Sequence, residues 1–314
     1  YEFKDAAKKF IGKAVDDDKP FFVWWNTTRM HVWTHLKEEY QRKSGVSLYA
    51  DGVMELDDMV GDMLAYLEEL GVMENTIIVF STDNGVEKFT WPDGGTAPFT
   101  GEKGSTYEGG FRVPLYVRWP GIIKPGTKIN EIISQEDWLP TLAAAAGDSD
   151  VKSKLIKGTT YNGKQWKVHL DGYNFLPYFK GEVEKGPREE IYYFSADGEL
   201  NAVRVNDFKI SFARVLGGTM PKGYRHTQAW PIVTNLRADP FEVADKSDLY
   251  TRWYGDNMWL FVPVGQYVVK FLKSLEGYPI QSGSTLNMSD ISYKTIKSQQ
   301  ILEQLRENRI GVDW

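Results

Sequence analysis

Apolar residues recur with two different spacings along the first third of the chain. In residues 1–18 and 49–70 they stand three and four positions apart, which predicts two amphipathic helices. Residues 21–25 and 77–81 are instead short, continuous apolar runs, which are typical of strands buried on both faces of a sheet. A strand, a long helix and a second strand in this order predict a right-handed βαβ unit with parallel strands.

The pattern changes after the Gly186-Pro187 pair. Short apolar runs separated by turn residues predict antiparallel strands there, with Asn206-Asp207 as a hairpin turn. We therefore predict two domains, residues 1–188 and 189–314. The fold class is α/β, with a mixed or parallel sheet flanked by helices, followed by a smaller α+β domain of antiparallel strands and helices. The remaining predicted elements are strands at 112–118, 129–133, 191–194, 201–205, 208–213 and 230–236, helices at 138–146, 262–275 and 292–308, and a surface loop at 148–168.

The composition excludes several classes of site. The 314 residues contain no cysteine, which removes disulfides, thiolate metal ligands and cysteine nucleophiles. The net charge is −6 and no long block of Lys and Arg is present, so we expect no nucleic-acid partner. No apolar run has the length of a membrane span, and we expect no membrane partner.

Polar residues follow each of the first two predicted strands. His31 and His35 lie in the loop 26–35, and Asp83 and Asn84 come directly after the second strand. Because the carboxyl ends of parallel strands meet at one edge of a sheet, we expect these side chains to lie near one another. A carboxylate and an amide oxygen favour a hard cation, so we expect Ca²⁺, with Mg²⁺ as the alternative. Asp-Asn-Gly is also a common turn sequence, and two ligands cannot complete a Ca²⁺ site.

Lys103 lies in a glycine-rich loop at residues 101–105. The loop lacks the Gly-Lys-Ser/Thr ending of a P-loop, so it does not predict a nucleotide site. A lysine in this setting is either a mobile surface charge or a point charge that holds a tetrahedral anion. His31 and His35 could each bind an anionic substrate or protonate a leaving group, and the spacing favours His31.

Three segments carry a resemblance to a known family. Residues 80–85 (Phe-Ser-Thr-Asp-Asn-Gly), 101–104 (Gly-Glu-Lys-Gly) and 107–114 (Tyr-Glu-Gly-Gly-Phe-Arg-Val-Pro) resemble the second half of sulfatases of the arylsulfatase type. The resemblance implies an alkaline-phosphatase-like α/β domain that hydrolyses sulfate esters at a Ca²⁺ site. Further matches to the family are residues 20–22 with His31, 137–142 and 235–240.

The resemblance also implies roles for particular residues. Asp83 and Asn84 match two of the family's metal ligands. Lys103 matches the lysine that holds the sulfate oxygens, and His31 matches the histidine that contacts the sulfate and the leaving oxygen. The expected partner is a small sulfate ester or a sulfated glycan, and the family favours a periplasmic or secreted location. The sequence predicts no particular oligomeric state.

The chain departs from the family in one large respect. The family's Asp-Asp pair after its first strand, and its Cys-or-Ser-x-Pro-x-Arg motif that becomes the formylglycine nucleophile, do not occur in these 314 residues. We therefore expect that the N-terminal catalytic segment with formylglycine is missing here and that this chain alone is inactive. The alternative hypotheses are a phosphatase or phosphodiesterase of the same superfamily, and a non-catalytic fragment or pseudoenzyme.

Overall fold

The computed structural model describes residues 1–31, 34–96, 98–195, 198–216 and 224–278. One unit comprises Tyr1–Ile129 with Leu216–Tyr224, and a second comprises Asn130–Val215 with Arg225–Trp314. The spatial division therefore falls after residue 129, and the domain boundary at 188/189 stays a prediction.

In chain order the helices and strands are α1 (Glu2–Asp16), α2 (Leu48–Glu69), β1 (Ile78–Ser81), α3 (Glu108–Phe111), β2 (Leu115–Arg118), α4 (Trp138–Ala145), α5 (Val151–Lys157), β3 (Thr159–Tyr161), β4 (Lys164–Trp166), α6 (Leu176–Phe179), β5 (Glu190–Phe194), β6 (Leu200–Val205), β7 (Phe208–Leu216), β8 (Tyr224–Asn235), α7 (Tyr250–Asn257) and α8 (Phe261–Ser274).

The first unit is built on α1 and α2, the two helices that the apolar spacing predicts. Each presents apolar residues on one face, and the two faces pack together. Gly71 follows the end of α2 with a φ of 69°, a left-handed conformation that glycine adopts without steric cost, and this confirms the predicted helix stop. The buried residues of this core are Ala7, Ile11, Met63, Leu67 and Met73.

The strands β1 and β2 pair in antiparallel fashion, with Val79 opposite Val117. The predicted parallel βαβ unit is therefore wrong for the described residues, because β1 has an antiparallel partner and residues 21–25 form no strand. The order strand, helix, strand predicts a right-handed crossover only when the two strands are known to lie parallel in the same sheet. That information was not in the pattern of the two apolar runs.

Residues 21–25 nevertheless show the alternation of an extended segment. Phe22 and Trp24 are 69% and 81% exposed, whereas Phe21, Val23 and Trp25 pack against the α1–α2 core. The run is therefore buried on one face rather than on both as predicted. An extended segment becomes a strand only when a neighbour completes its backbone hydrogen bonds, and apolarity alone does not name that neighbour.

The second unit begins with helices and a short hairpin. The helix α4 confirms the prediction at 138–146, whereas residues 129–133 form no strand. The predicted surface loop at 148–168 is wrong, because it contains α5 and the antiparallel pair β3–β4. Asn162 and Gly163, with φ of 49° and 75°, form the two-residue turn of that hairpin. The Asn-Gly pair was a readable hairpin signal.

The second unit also contains a four-stranded sheet in the order β5-β6-β7-β8. The predicted strands there are confirmed, and Asn206-Asp207 is the two-residue turn between β6 and β7. The helix α8 packs Val264 against Val203 and Ile210 of the sheet, which closes a second core. The predicted helix at 292–308 lies outside the described residues.

Within the described part of the chain, no helix combines the length and the apolarity of a membrane span.

Candidate functional site

Asp83 and Asn84 lie just beyond the carboxyl end of β1, as predicted. The Asp83 side chain is exposed, and Asn84 is half-buried. The amide nitrogen of Asn84, Nδ2, donates to the carbonyl oxygen of Gly85 at 2.9 Å. This bond turns the amide so that Oδ1, the oxygen that can bind a cation, is left for another partner.

Gly85 allows the chain to turn directly against α3. Its N–H donates to the Gly110 carbonyl oxygen at 2.9 Å, and a Cβ atom at position 85 would lie 1.8 Å from the Gly109 carbonyl oxygen. Gly109 in turn donates to the Thr100 carbonyl oxygen at 2.7 Å. The glycines therefore join α3 to the turn after β1 and to the loop at Thr100 through backbone contacts, at distances that a side chain would prevent.

Lys103 is tied to the same turn through its backbone. Its N–H donates to the Val86 carbonyl oxygen at 3.0 Å. Its Nζ lies 3.8 Å from Oε1 of Glu87, whose side chain is 8% exposed, while the Lys103 side chain is 22% exposed. A partly accessible ammonium beside one buried carboxylate can still approach an anion.

The loop that carries His31 and His35 meets the segment between Asn84 and Lys103. Trp91, which is 6% exposed, donates from Nε1 to the Met30 carbonyl oxygen at 2.8 Å. This bond shows that the loop 26–35 meets the segment that follows Asp83 and Asn84, as expected from the sequence. His31 and His35 are themselves exposed, and the placement of either imidazole near Asp83 stays a prediction.

The loop around Trp91 is anchored on the first turn of α2. The carboxylate oxygen Oδ2 of Asp93 accepts from the Tyr49 N–H at 2.9 Å. This bond and one from the Ser47 hydroxyl hold the pKa of Asp93 below its usual range. A carboxylate at a helix N-terminus is also favoured by the helix dipole, so Asp93 fixes the base of the loop.

Sequence reasoning missed three residues that organise this site: Arg29, Glu55 and Trp91. Arg29 and Glu55 form an ion pair at 2.7 Å, with side chains 8% and 3% exposed. An acidic residue within the helical stretch 49–70 resembles a solvated face, so the pattern gave no sign of its burial. Trp91 carried a weak signal, because a large aromatic residue in a glycine-rich loop is uncommon without a partner.

The oxygens of Asp83 and Asn84 fit a hard cation in chemical type but not in number. Ca²⁺ takes about six to eight oxygen ligands, and these two side chains supply only part of that shell. Among the described residues, no group of three or more His, Cys, Asp and Glu side chains could hold a metal ion. The pair therefore suits one side of a Ca²⁺ site, and His31 and Lys103 suit an anion.

Comparison with known proteins finds similar sequences. The sulfatase family model matches residues 2–148. Arylsulfatase A from Homo sapiens is 33% identical over 66% of this chain and 38% of its own length. N-acetylgalactosamine-6-sulfatase from Rattus norvegicus is 33% identical over 76% of this chain and 46% of its own length. The chain belongs to the sulfatase family. It spans less than half the length of either relative.

Solved structures support the same sulfatase fold. The crystal structure of the PsFucS1 sulfatase from Pseudoalteromonas sp. matches 89% of this sulfatase chain and 53% of its own, with a TM-score of 0.71 and 28% identity. The fold is thus the sulfatase and alkaline-phosphatase-like architecture that the resemblance implied. The described strands contribute small, mostly antiparallel sheets to it.

Proposed function

We propose that this protein hydrolyses sulfate esters, with the sulfate group held between the Asp83-Asn84 turn and Lys103. The observation that carries the proposal is the 3.0 Å bond from the Lys103 N–H to the Val86 carbonyl oxygen. It ties the backbone of a positively charged residue to the turn that carries two oxygen ligands, the exposed Asp83 and the half-buried Asn84. Family membership supports sulfate as the anion that this pairing serves.

Each of these residues has a proposed role that follows from its chemistry. Asp83 Oδ and Asn84 Oδ1 would hold Ca²⁺, which when bound supplies positive charge to the sulfate oxygens. The Lys103 ammonium neutralises charge on the transferring group, which is commonly the largest contribution to catalysis of this kind. His31 donates a proton or a hydrogen bond to the leaving oxygen. His35 is proposed to bind the substrate beyond the sulfate.

The attacking nucleophile is not assigned to any residue of this sequence. Sulfatases use formylglycine, and these 314 residues contain neither cysteine nor a Ser-x-Pro-x-Arg motif that could supply it. The residues present therefore do not fit that group, and we derive no step through it. The proposal concerns these residues in a protein that also supplies formylglycine.

The proposed substrate class is a sulfated sugar or an aryl sulfate. The names of the relatives, arylsulfatase A and N-acetylgalactosamine-6-sulfatase, support both. An amide oxygen such as that of Asn84 is a poor ligand for Zn²⁺, which disfavours the two-zinc chemistry of the related phosphatases. The membership of the family therefore favours sulfate over phosphate.

The test is the effect of Lys103→Ala on the complete protein, produced in a host that makes formylglycine. We expect a loss of roughly 100-fold or more in kcat/KM for 4-nitrophenyl sulfate, because an electrostatic contact to the transferring group is lost. Lys13→Ala is the matched control, since the Lys13 side chain is 75% exposed. Faster turnover of 4-nitrophenyl phosphate than of the sulfate by the unaltered protein would instead favour a phosphatase. A Lys103→Ala variant as active as the control would refute the role of this lysine.

A further inference from the structure

Both peptide groups that flank the Cα of His31 are fixed by hydrogen bonds. The Met30 carbonyl oxygen accepts from Nε1 of Trp91 at 2.8 Å, and the His31 N–H of the same peptide donates to the Thr28 carbonyl oxygen at 3.0 Å. On the other side, the His31 carbonyl oxygen accepts from Oγ1 of Thr34 at 2.8 Å. Fixing these two peptide planes sets the direction of the Cα–Cβ bond, although the imidazole itself is exposed.

A buried ion pair holds the hydrogen bond between Thr34 and the His31 carbonyl oxygen in place. Arg29 donates from one terminal nitrogen to Oγ1 of Thr34 at 3.0 Å, and its other terminal nitrogen lies 2.7 Å from Oε2 of Glu55. That second nitrogen also donates to the His35 carbonyl oxygen. Glu55 lies on α2 and is 2% exposed, so the guanidinium is bound to a rigid element. Arg29 therefore connects a helix to both ends of the histidine loop.

We propose that Trp91 and Arg29 are positioning residues for His31, a proposal that rests on the function proposed above. Neither residue needs to touch the substrate. Trp91 belongs to the segment between Asn84 and Lys103, so its bond to Met30 sets His31 relative to the residues that would hold the metal and the sulfate. A displacement of about 1 Å in a catalytic group can cost roughly 100-fold in rate, which makes a hydrogen bond at this place matter for catalysis.

The first experiment replaces Trp91 by Phe in the complete, formylglycine-containing protein. This change keeps an aromatic ring but removes the N–H donor. If Trp91 acts through His31, the loss should be roughly tenfold in kcat for an alkyl or sugar sulfate, whose leaving oxygen needs a proton. For 4-nitrophenyl sulfate the loss should be under about twofold, because 4-nitrophenolate leaves without one. Trp259→Phe is the matched control, since Trp259 is 61% exposed and lies in the second unit.

A double-mutant cycle with His31→Ala separates positioning from folding. A residue that acts only through His31 should add nothing once His31 is gone, whereas a general loss of stability should add to it. Glu55→Gln is the second variant, which keeps the shape of the side chain but leaves Arg29 without its ionic partner. It should show the same preference for poor leaving groups, and it keeps the test usable if Trp91→Phe does not fold.

A readout without catalysis is the ¹H–¹³C spectrum of the histidine rings in this 314-residue chain, which has only four histidines. The His31 resonance should shift or broaden in Trp91→Phe and stay unchanged in Trp259→Phe. Equal losses on both substrates, additivity with His31→Ala, or an unmoved His31 resonance would each overturn the positioning role while leaving the proposed function standing. An unaltered protein that cleaves no sulfate ester would overturn both.

Discussion

The sharpest prediction concerns Gly85, where the turn after β1 touches α3. In a Gly85→Ala variant the new methyl carbon would lie 1.8 Å from the Gly109 carbonyl oxygen, far below the 3.4 Å at which ordinary contact begins. Relief would require one backbone segment to retreat. Gly109 itself has no room behind it, because a Cβ atom there would lie 2.5 Å from the Thr100 carbonyl oxygen. A shift of Gly109 away from position 85 would therefore displace the loop that contains Thr100 and Lys103.

The expected cost combines overpacking with a lost hydrogen bond. Overpacking a tight site costs about 1–3 kcal/mol and sometimes more. Loss of the 2.9 Å bond from the Gly85 N–H to the Gly110 carbonyl oxygen adds about 1 kcal/mol. We expect Gly85→Ala to lower the free energy of unfolding of the first unit by about 3 kcal/mol or more. This corresponds to a fall of roughly 6 °C or more in its Tm.

The assay is urea denaturation together with amide hydrogen exchange measured on peptides that contain residues 85 and 109. Gly61→Ala is a matched control of opposite sign, because Gly61 lies within α2 and a Cβ atom there meets nothing within 4 Å. Alanine in an open helical position should raise stability by about 0.8–1 kcal/mol. If Gly85→Ala unfolds at the same urea concentration as the wild type and keeps its protection from exchange, the close backbone approach described here is wrong.

Two further predictions test the interior. Arg188→Ala should destabilise the second unit by about 3–5 kcal/mol in urea denaturation, because the Asp137 carboxylate would lose its ionic partner inside the protein. The side chain of Asp137 is 0% exposed and lies 2.7 Å from Arg188. As a control, Lys13→Ala breaks an exposed pair with Asp17 and should change stability by less than about 1 kcal/mol. Hydrogen bonds from Ser44 and from the Arg42 N–H hold the pKa of Asp51 below its usual range. The stability that its carboxylate contributes is therefore present at neutral pH and is lost as the pH falls below about 4 towards the folded-state pKa. Asp51→Asn should remove this part of the acid dependence in denaturation curves recorded between about pH 2 and 7, and an unchanged curve would contradict it.

Local signals account for what the sequence could predict of this fold. The spacing of apolar residues in α1 and α2, and the Asn206-Asp207 turn between β6 and β7, depend on residues within a few positions of each other. Such features are encoded by periodicity and turn chemistry. The antiparallel pairing of β1 with β2 depends on which segment arrives beside β1 in space. No pattern within the apolar run at 77–81 contains that information.

The same distinction applies to the candidate site. Asp83, Asn84 and Lys103 are ordinary ligand types in a recognisable spacing, so the sequence could nominate them. The residues that organise the site act across long separations: Trp91 bonds to Met30, 61 residues away, and Arg29 pairs with Glu55 on a helix. Tryptophan and glutamate at such positions look like core and surface residues until their partners are known. Positioning groups are therefore harder to predict than ligands.

The contacts that assemble this site are made mainly by backbone atoms. The backbone N–H groups of Gly85 and Lys103 donate to the carbonyl oxygens of Gly110 and Val86. The Met30 carbonyl oxygen accepts from the indole N–H of Trp91. The side chains of Asp83 and His31 are exposed. Substitution of Asp83 should therefore change binding more than it changes the stability of the fold, because its side chain is exposed. Substitution at Gly85 should instead disturb the proposed metal ligands, Asp83 and Asn84, together with the proposed anion-binding Lys103, since their backbones meet at the same turn.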